Sequence, residues 1–127
     1  MARPKASQLT ERELEIMQVF WDHGELTVAD VRDKLDAGGR ELAYTTVATL
    51  VKILLEKKFV KQLNDSRPFI YRPERSYEEV SKNLLSDLIK RVFGGSREEM
   101  LVQLMGQKKL NKRERELLEK ILREQKK

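Results

Sequence analysis

Three threonines near the start of one predicted helix carry the chemistry that this sequence offers most clearly. Thr45, Thr46 and Thr49 lie at positions i, i+1 and i+4, within the first turn and a half of a helix predicted over residues 44–57. A threonine hydroxyl can donate to or accept from a base edge or a phosphate, and its methyl group can contact the methyl of thymine. The same hydroxyls can instead cap the helix or bond back to its carbonyl oxygens. The pattern indicates a DNA-reading helix, with back-bonding as the alternative.

Basic and aromatic side chains surround these threonines. Lys52 lies one turn further along the helix, Tyr44 begins it, Arg40 precedes it, and Arg67 falls in a turn-rich segment beyond three more lysines at 57, 58 and 61. Cations around the edge of a groove-reading helix contact phosphates. Residues 40–72 hold 7 basic and 3 acidic side chains, whereas residues 9–39 hold 3 and 8. The predicted DNA-binding residues are Arg40, Tyr44, Thr45, Thr46, Thr49, Lys52 and Arg67.

The composition argues against most enzyme classes and against a membrane role. With no cysteine and one histidine, the chain has no disulfide, no thiol nucleophile and no histidine pair for a metal. No Gly-rich phosphate loop or pair of catalytic carboxylates is evident. Apolar runs do not exceed four residues, and none follows the basic start at residues 1–5, so neither a membrane span nor a secretory signal is expected. We expect a cytoplasmic protein without a cofactor, a metal or enzymatic activity.

Paired polar residues mark the predicted helix starts. In each pair a short polar side chain precedes an acidic one by three residues, which is the spacing that caps a helix N-terminus. The pairs are Thr10 with Glu13, Thr27 with Asp30, Ser76 with Glu79, Ser96 with Glu99, and Asn111 with Glu114. Apolar stripes predict helices over residues 10–23, 27–37, 44–57 and 77–93, and shorter ones around 100–105 and 117–122.

A change of hydrophobic period after residue 58 predicts a small β element. Residues 59–63 and 69–72 are rich in β-formers and flank a turn-rich segment, which predicts a hairpin, and Leu26 is expected in a short edge strand. Three helices followed by a hairpin is the order of a winged helix-turn-helix. The predicted fold class is mainly α with a small β-wing: a winged helix-turn-helix DNA-binding domain at residues 1–73 and a C-terminal helical dimerisation unit at 74–127.

The C-terminal helices carry apolar stripes without an evident partner. About 54 residues are too few to enclose a core of their own. The stripes must fold back on residues 9–73 or meet a second copy of the chain, and we favour the second copy because the first unit already looks complete. The predicted dimerisation residues are Val80, Leu84, Leu88, Val92, Leu101, Leu104, Leu118, Ile121 and Leu122.

Several stretches together resemble the penicillinase repressor family of bacterial winged-helix repressors. They are residues 9–17 with 20–21, 26–28, 43–50, 57–60, 69–71 and 93–95. The most specific is Tyr-Thr-Thr-Val-Ala-Thr-Leu at 44–50 followed by the wing, while the C-terminal helices match more loosely. The similarity covers almost the whole chain.

The resemblance implies a homodimer that binds a palindromic double-stranded DNA operator and blocks transcription, with antibiotic-resistance or stress genes as the expected targets. Thr45, Thr46 and Thr49 would then enter the major groove, and the C-terminal helices would be swapped between subunits. In antibiotic-responsive members a sensor protease system leads to cleavage at an Asn-Phe bond. By position that cut falls near Gln103 and Leu104, where this chain departs from the pattern.

Two further departures bear on the family's regulation and on the third helix. The chain lacks the C-terminal cysteines with which copper-responsive relatives bind metal, so metal induction of that kind is not expected. Ala43 stands where a polar N-cap often precedes the recognition helix. The alternative to a repressor is a winged-helix adaptor that binds another protein, and retention of palindromic DNA at physiological salt separates the two.

Overall fold

The computed structural model describes residues 9–107 and 109–125, the side chain of Gln107 excepted. The prediction drawn from residues 1–5 lies outside these residues. The elements in chain order are α1 (Glu11–His23), β1 (Leu26–Thr27), α2 (Val28–Ala37), α3 (Tyr44–Glu56), β2 (Val60–Gln62), β3 (Ile70–Pro73), α4 (Tyr77–Phe93), α5 (Arg97–Gln107) and α6 (Lys112–Gln125). This order confirms the predicted mainly α fold with a small β-wing.

Side-chain caps fix where the helices begin. Thr10 and Glu13 form a reciprocal capping box at α1: the Thr10 hydroxyl accepts from the Glu13 N–H at 3.2 Å, and the Thr10 N–H donates to Glu13 Oε1 at 2.9 Å. Thr27 and Asp30 do the same for α2. The remaining three pairs cap α4, α5 and α6. All five predicted pairs are therefore confirmed. The exception among the first three helices is α3, whose N-cap Ala43 makes no side-chain hydrogen bond.

The three strands form one antiparallel sheet in the order β1-β3-β2, with β1 at the edge as predicted. Tyr71 at the centre pairs with Leu26 of β1 and with Gln62 of β2. Asn64 holds the loop between β2 and β3: its amide donates to the carbonyl oxygens of Ser66 and Pro68, and its oxygen accepts from the Ile70 N–H. We call this hairpin with its loop, residues 60–73, the wing.

The inward faces of the first three helices and the sheet make one core. Its fully buried side chains are Ile16, Met17, Phe20, Val31, Val47, Val51, Leu54, Phe59 and Val60. Burying a side chain of this size stabilises the fold by about 1.5–3 kcal/mol. Three of these residues, Val47, Val51 and Leu54, lie on one face of α3, so the core fixes which face of that helix remains outside.

The chain divides into two compact units, the first ending at Ser81 and the second beginning at Lys82. The first turn of α4 belongs to the first unit. Trp21 Nε1 donates to the Arg75 carbonyl oxygen at 2.9 Å, the Tyr77 ring meets the Trp21 ring edge-on with centroids 5.4 Å apart, and Val80 is buried. The assignment of residues 1–73 to DNA binding and 74–127 to dimerisation stays a prediction.

The second unit is described by itself and carries much apolar surface. Leu88, Val92, Leu101, Leu104 and Ile121 are each more than 40% exposed. No residue of α6 is buried. Gly94 and Gly95, both at positive φ, end α4 in a backbone conformation that other residues rarely adopt. Within the described ranges no helix combines the length and apolar character that crossing a bilayer requires.

Candidate nucleic-acid interface

The outward face of α3 presents short polar and basic side chains. Thr45, Thr49 and Lys52 are spaced by four and three residues, lie on the side opposite the buried valines, and are all exposed. Glu56 continues the same face one turn beyond Lys52, so an anion would be attracted to the first two and a half turns and repelled at the end. Thr46 lies to one side and is half-buried. The structure thus presents Thr45, Thr49 and Lys52 on one surface.

The hydroxyl of one of the three threonines already makes a hydrogen bond within α3. The Thr49 hydroxyl donates to the Thr45 carbonyl oxygen at 2.9 Å. The back-bonding alternative therefore holds for Thr49, and its hydroxyl oxygen remains available as an acceptor.

Tyr44 begins α3 and is 49% exposed. The guanidinium carbon of Arg32, on α2, lies 5.7 Å from the centroid of its ring, within the range of a cation–π contact. Arg32 also pairs with Asp33 at 3.2 Å. Arg32 was not among the residues predicted from the sequence. It is twelve positions from Tyr44 on a different helix, so the packing of α2 on α3 is what reveals the contact.

Two basic residues beside α3 are paired with acids of α1. Arg40 Nη2 lies 3.0 Å from Glu15 Oε1, and both side chains are exposed, so the pair contributes at most about 1 kcal/mol and leaves Arg40 able to exchange its partner for a phosphate. Lys57, the N-terminal member of the three lysines after the helix, is different. Its Nζ donates to buried Glu13 at 2.8 Å, and its own side chain is largely buried. Lys57 serves the core rather than an outer surface.

The wing adds further positive charge. Arg67 is exposed in the loop, with its guanidinium carbon 5.8 Å from the ring centroid of Phe69. Lys61 and Arg72 stand directly opposite each other on β2 and β3, and both are exposed. Like charges in directly paired positions destabilise a sheet. Successive side chains of a strand point to opposite faces, so this pair lies on the face of the sheet opposite Gln62 and Tyr71. Only the strand register shows that Arg72 stands opposite Lys61.

An open groove of about 780 Å³ separates α3 from the wing. On the helix side it is lined by a stripe of side chains one turn apart, and on the other side by residues of the wing and the start of α2. The lining residues are Thr27, Val28, Ala29, Tyr44, Ala48, Lys52, Leu55, Gln62, Arg67, Pro68, Phe69 and Tyr71. Burial, together with the nearby phenol of Tyr44, raises the pKa of Tyr71 above its ordinary value. Tyrosine is already neutral at neutral pH, and this shift lets Tyr71 keep its proton further into the alkaline range.

A model of the penicillinase repressor family matches residues 9–124. The chain belongs to the penicillinase repressor family. It is 34% identical over 103 residues to the transcriptional regulator BlaI of Mycobacterium tuberculosis, covering 80% of this chain and 74% of that one. It is 26% identical over 125 residues to the penicillinase repressor of Bacillus licheniformis, covering 96% and 94%. The solution structure of the DNA binding domain of the repressor BlaI matches with a TM-score of 0.51 at 25% identity, over 61% of this chain and 93% of that one.

These matches confirm the resemblance predicted from the sequence and the winged-helix fold class of this family member. The contacts of its individual residues with DNA stay predictions. In the part of the chain that the structure describes, no group of three or more histidine, aspartate or glutamate side chains could hold a metal ion.

Proposed function

We propose that the chain binds a palindromic DNA operator as a homodimer and blocks transcription by occupying it. Its membership of the penicillinase repressor family makes it a DNA-binding transcriptional repressor. The observation that carries the rest is the exposed surface of α3, with Thr45, Thr49 and Lys52 on one face and Arg67 of the wing nearby across the groove. We infer a cytoplasmic location, because the proposed operator is part of the DNA that the repressor must reach.

Different side chains of this surface do different work on DNA. Contacts to base edges specify the sequence, and contacts to phosphates set position and affinity. We assign Thr45, Thr46 and Thr49 to base edges in the major groove, because a hydroxyl and a methyl group on a short side chain can read several edges. Lys52, Arg67 and Arg40 are assigned to phosphates, and Tyr44 to the sugar-phosphate strand.

A second copy of the chain completes the repressor. One helix reads only a few base pairs, whereas two helices on half-sites about 34–36 Å apart, or a multiple of that, bind together. Linking the two raises affinity through effective concentration. The apolar residues proposed to hold the copies together are Leu84, Leu88, Val92, Leu101, Leu104, Leu118, Ile121 and Leu122, most of them well exposed in the isolated chain. Val80 is left out of this interface because it is buried within the first unit.

We further propose that an upstream sensor protease system ends repression by a cut near Gln103 and Leu104. Both residues are exposed within α5. A helical segment must open locally before a protease can bind it in extended form. Separating the C-terminal helices would then remove the second copy without changing the DNA-reading surface. Mass spectrometry of the repressor recovered from cells exposed to a β-lactam tests this, and an uncut chain that has left its operator would contradict it.

Selection of bound sequences from random duplex DNA tests the operator. We expect an inverted repeat whose half-sites lie one helical turn, or a multiple of it, apart. The footprint on the selected DNA should cover both half-sites with two chains bound. A single asymmetric site bound by one chain would overturn the proposed mode of binding.

A further inference from the structure

We propose that the groove between α3 and the wing binds a small aromatic carboxylate, and that a bound carboxylate displaces DNA. The first part concerns the groove alone. The second part rests on the proposed function, because it requires that the same residues bind an operator.

The groove has the size and the lining of a small-molecule site. Its volume of about 780 Å³ falls among the values of about 300–1,000 Å³ at which proteins bind drug-sized ligands. Val28, Ala48, Leu55 and Phe69 give it apolar walls, and Leu55 and Phe69 are only partly covered by the protein itself. An aromatic group of one ring or two fused rings bound there would bury this apolar surface.

The charge of the lining selects an anion. Of the described residues that line the groove, the charged ones are Lys52 and Arg67, both basic, and no carboxylate faces them from within the lining. A guanidinium binds a carboxylate through two parallel hydrogen bonds. The phenol of Tyr71 is protonated at neutral pH, as any tyrosine of ordinary pKa is, so it offers a hydrogen-bond donor rather than a negative charge.

An aromatic carboxylate fits this lining better than a sugar-phosphate strand does. A sugar-phosphate strand is charged along its whole length and has no flat apolar group to cover Leu55 and Phe69. A ring with one carboxylate matches both the apolar walls and the two cations. Because Tyr44, Lys52 and Arg67 are also assigned to DNA, the two ligands compete for them.

The first experiment titrates 2-naphthoate into the ¹⁵N-labelled full-length chain, with neutral 2-naphthamide as its matched control. We expect saturable amide shifts confined to residues 27–29, 44–55 and 62–71. 2-Naphthamide should bind at least about tenfold more weakly than 2-naphthoate, because it lacks the negative charge that Lys52 and Arg67 select. Shifts confined to the C-terminal helices, no saturable binding, or equal affinity for acid and amide would overturn the proposal.

Two variants distinguish binding in the groove from binding elsewhere on α3. Leu55→Phe places a larger side chain in the groove, whereas Ile53→Phe introduces the same side chain two positions earlier, outside the lining. Leu55→Phe is expected to weaken 2-naphthoate binding about tenfold and Ile53→Phe less than about twofold. Should either variant fold poorly, Lys52→Gln with Arg67→Gln provides the second test. That pair should bring the affinities for acid and amide together, and an unchanged preference for the acid would overturn the proposal.

The competition experiment uses the operator found by selection. 2-Naphthoate at about ten times its own Kd should raise the apparent Kd for an isolated half-site about elevenfold, as expected for mutually exclusive ligands. For the full palindrome, where the grooves of both chains must be free of 2-naphthoate, the apparent Kd should rise by up to about 120-fold. Failure to bind any operator without 2-naphthoate would refute the proposed function and leave the groove result standing. Normal operator affinity with 2-naphthoate bound in the groove would refute displacement alone.

Discussion

One carboxylate oxygen joins the start of α1 to the end of α3. Glu13 Oε1 accepts from the Thr10 N–H and from Lys57 Nζ, and Glu13 is 3% exposed. Removing one partner of a buried ion pair leaves an uncompensated charge, which costs about 3–5 kcal/mol. The pair therefore does more for the position of α3 than an exposed salt bridge can.

Lys57→Met is expected to lower the free energy of unfolding by about 3 kcal/mol, since it leaves the Glu13 carboxylate buried without its cation. Urea denaturation measures this. Adding Glu13→Leu should recover part of the loss, because the buried charge is then gone. The control is Lys34→Met on the exposed side of α2, with a change below about 0.5 kcal/mol. A loss at Lys57 no larger than at Lys34 would show that the pair is not buried in solution.

Substitutions of Lys52 and of Thr45 should change DNA binding in different ways. Lys52→Ala should weaken binding to operator and random DNA alike and reduce the slope of log K against log salt by up to about 0.9, the value for one lost phosphate contact. Thr45→Ala should instead reduce the preference for the operator, by about 1 kcal/mol. Fluorescence anisotropy at several salt concentrations measures both. Equal losses of Thr45→Ala on operator and random DNA would contradict a reading role for this residue.

Ionisation of the Tyr71 phenol makes the free energy of unfolding depend on pH in the alkaline range. Burial and the neighbouring Tyr44 raise its pKa, so the folded state holds the phenolic proton more tightly than the unfolded state does. The resulting stability is fully present below about pH 10, the ordinary value, and is lost as pH rises through the raised pKa. Urea denaturation at about pH 8 and about pH 11 should show the wild type losing stability relative to Tyr71→Phe. A constant difference between the two proteins would contradict this.

The helix period predicted part of the candidate site and could not predict the rest. Thr45 and Lys52 lie on the outward face because the apolar residues of the same helix fix the inward one. Arg32 joins the surface through α2–α3 packing, and Arg72 comes opposite Lys61 through strand register. No local pattern encodes either contact. Lys57 does not belong to this surface, because its side chain pairs with Glu13, 44 positions away. Sequence spacing finds neighbours within an element and is silent about contacts between elements.

Among elements, α3 has the weakest start. Ala43 has the extended backbone of an N-cap, with φ −66° and ψ 148°, but no side chain to accept a hydrogen bond from the first turn. A serine at an N-cap stabilises a helix by about 1 kcal/mol relative to alanine. Ala43→Ser should therefore raise the free energy of unfolding by about that amount. Ala37→Ser, at the exposed end of α2, is the control and should give no gain. No difference between the two variants would contradict the expected cap.

The other element boundaries show what local chemistry determines. Five capping pairs predicted helix starts, and each cap is formed. The predicted break after Pro73 and the division after Ser81 differ because Trp21 holds the start of α4. Its ring contacts Tyr77 of the first turn, and its Nε1 donates to the carbonyl oxygen of Arg75 just before the helix, 54 positions away. Caps act within one turn and are readable from the sequence. The unit to which a turn belongs depends on a distant tryptophan.

At the scale of the whole molecule, the two units contrast in what they bury. The first has a core with fully buried side chains from three helices and a sheet. In the second, the apolar side of α6 is exposed along its length, with Leu117, Leu118, Ile121 and Leu122 between 37% and 58% exposed. Patches of this kind on a chain mark surfaces that another protein covers. The proposed second copy would cover this surface and would also supply the second DNA-reading surface that a palindrome requires.

Leu118→Gln with Ile121→Gln should therefore separate the copies without affecting the DNA-reading surface. The matched control is Glu116→Gln with Lys120→Gln, which places two glutamines on the polar side of the same helix and leaves the net charge unchanged. Sedimentation should give the mass of one chain for the first variant and of two chains for the control and the wild type. The first variant should lose affinity for the full palindrome while keeping that for an isolated half-site, because only the gain in effective concentration is removed. A dimer that survives the apolar substitutions, or an equal loss on the half-site, would place the interface elsewhere.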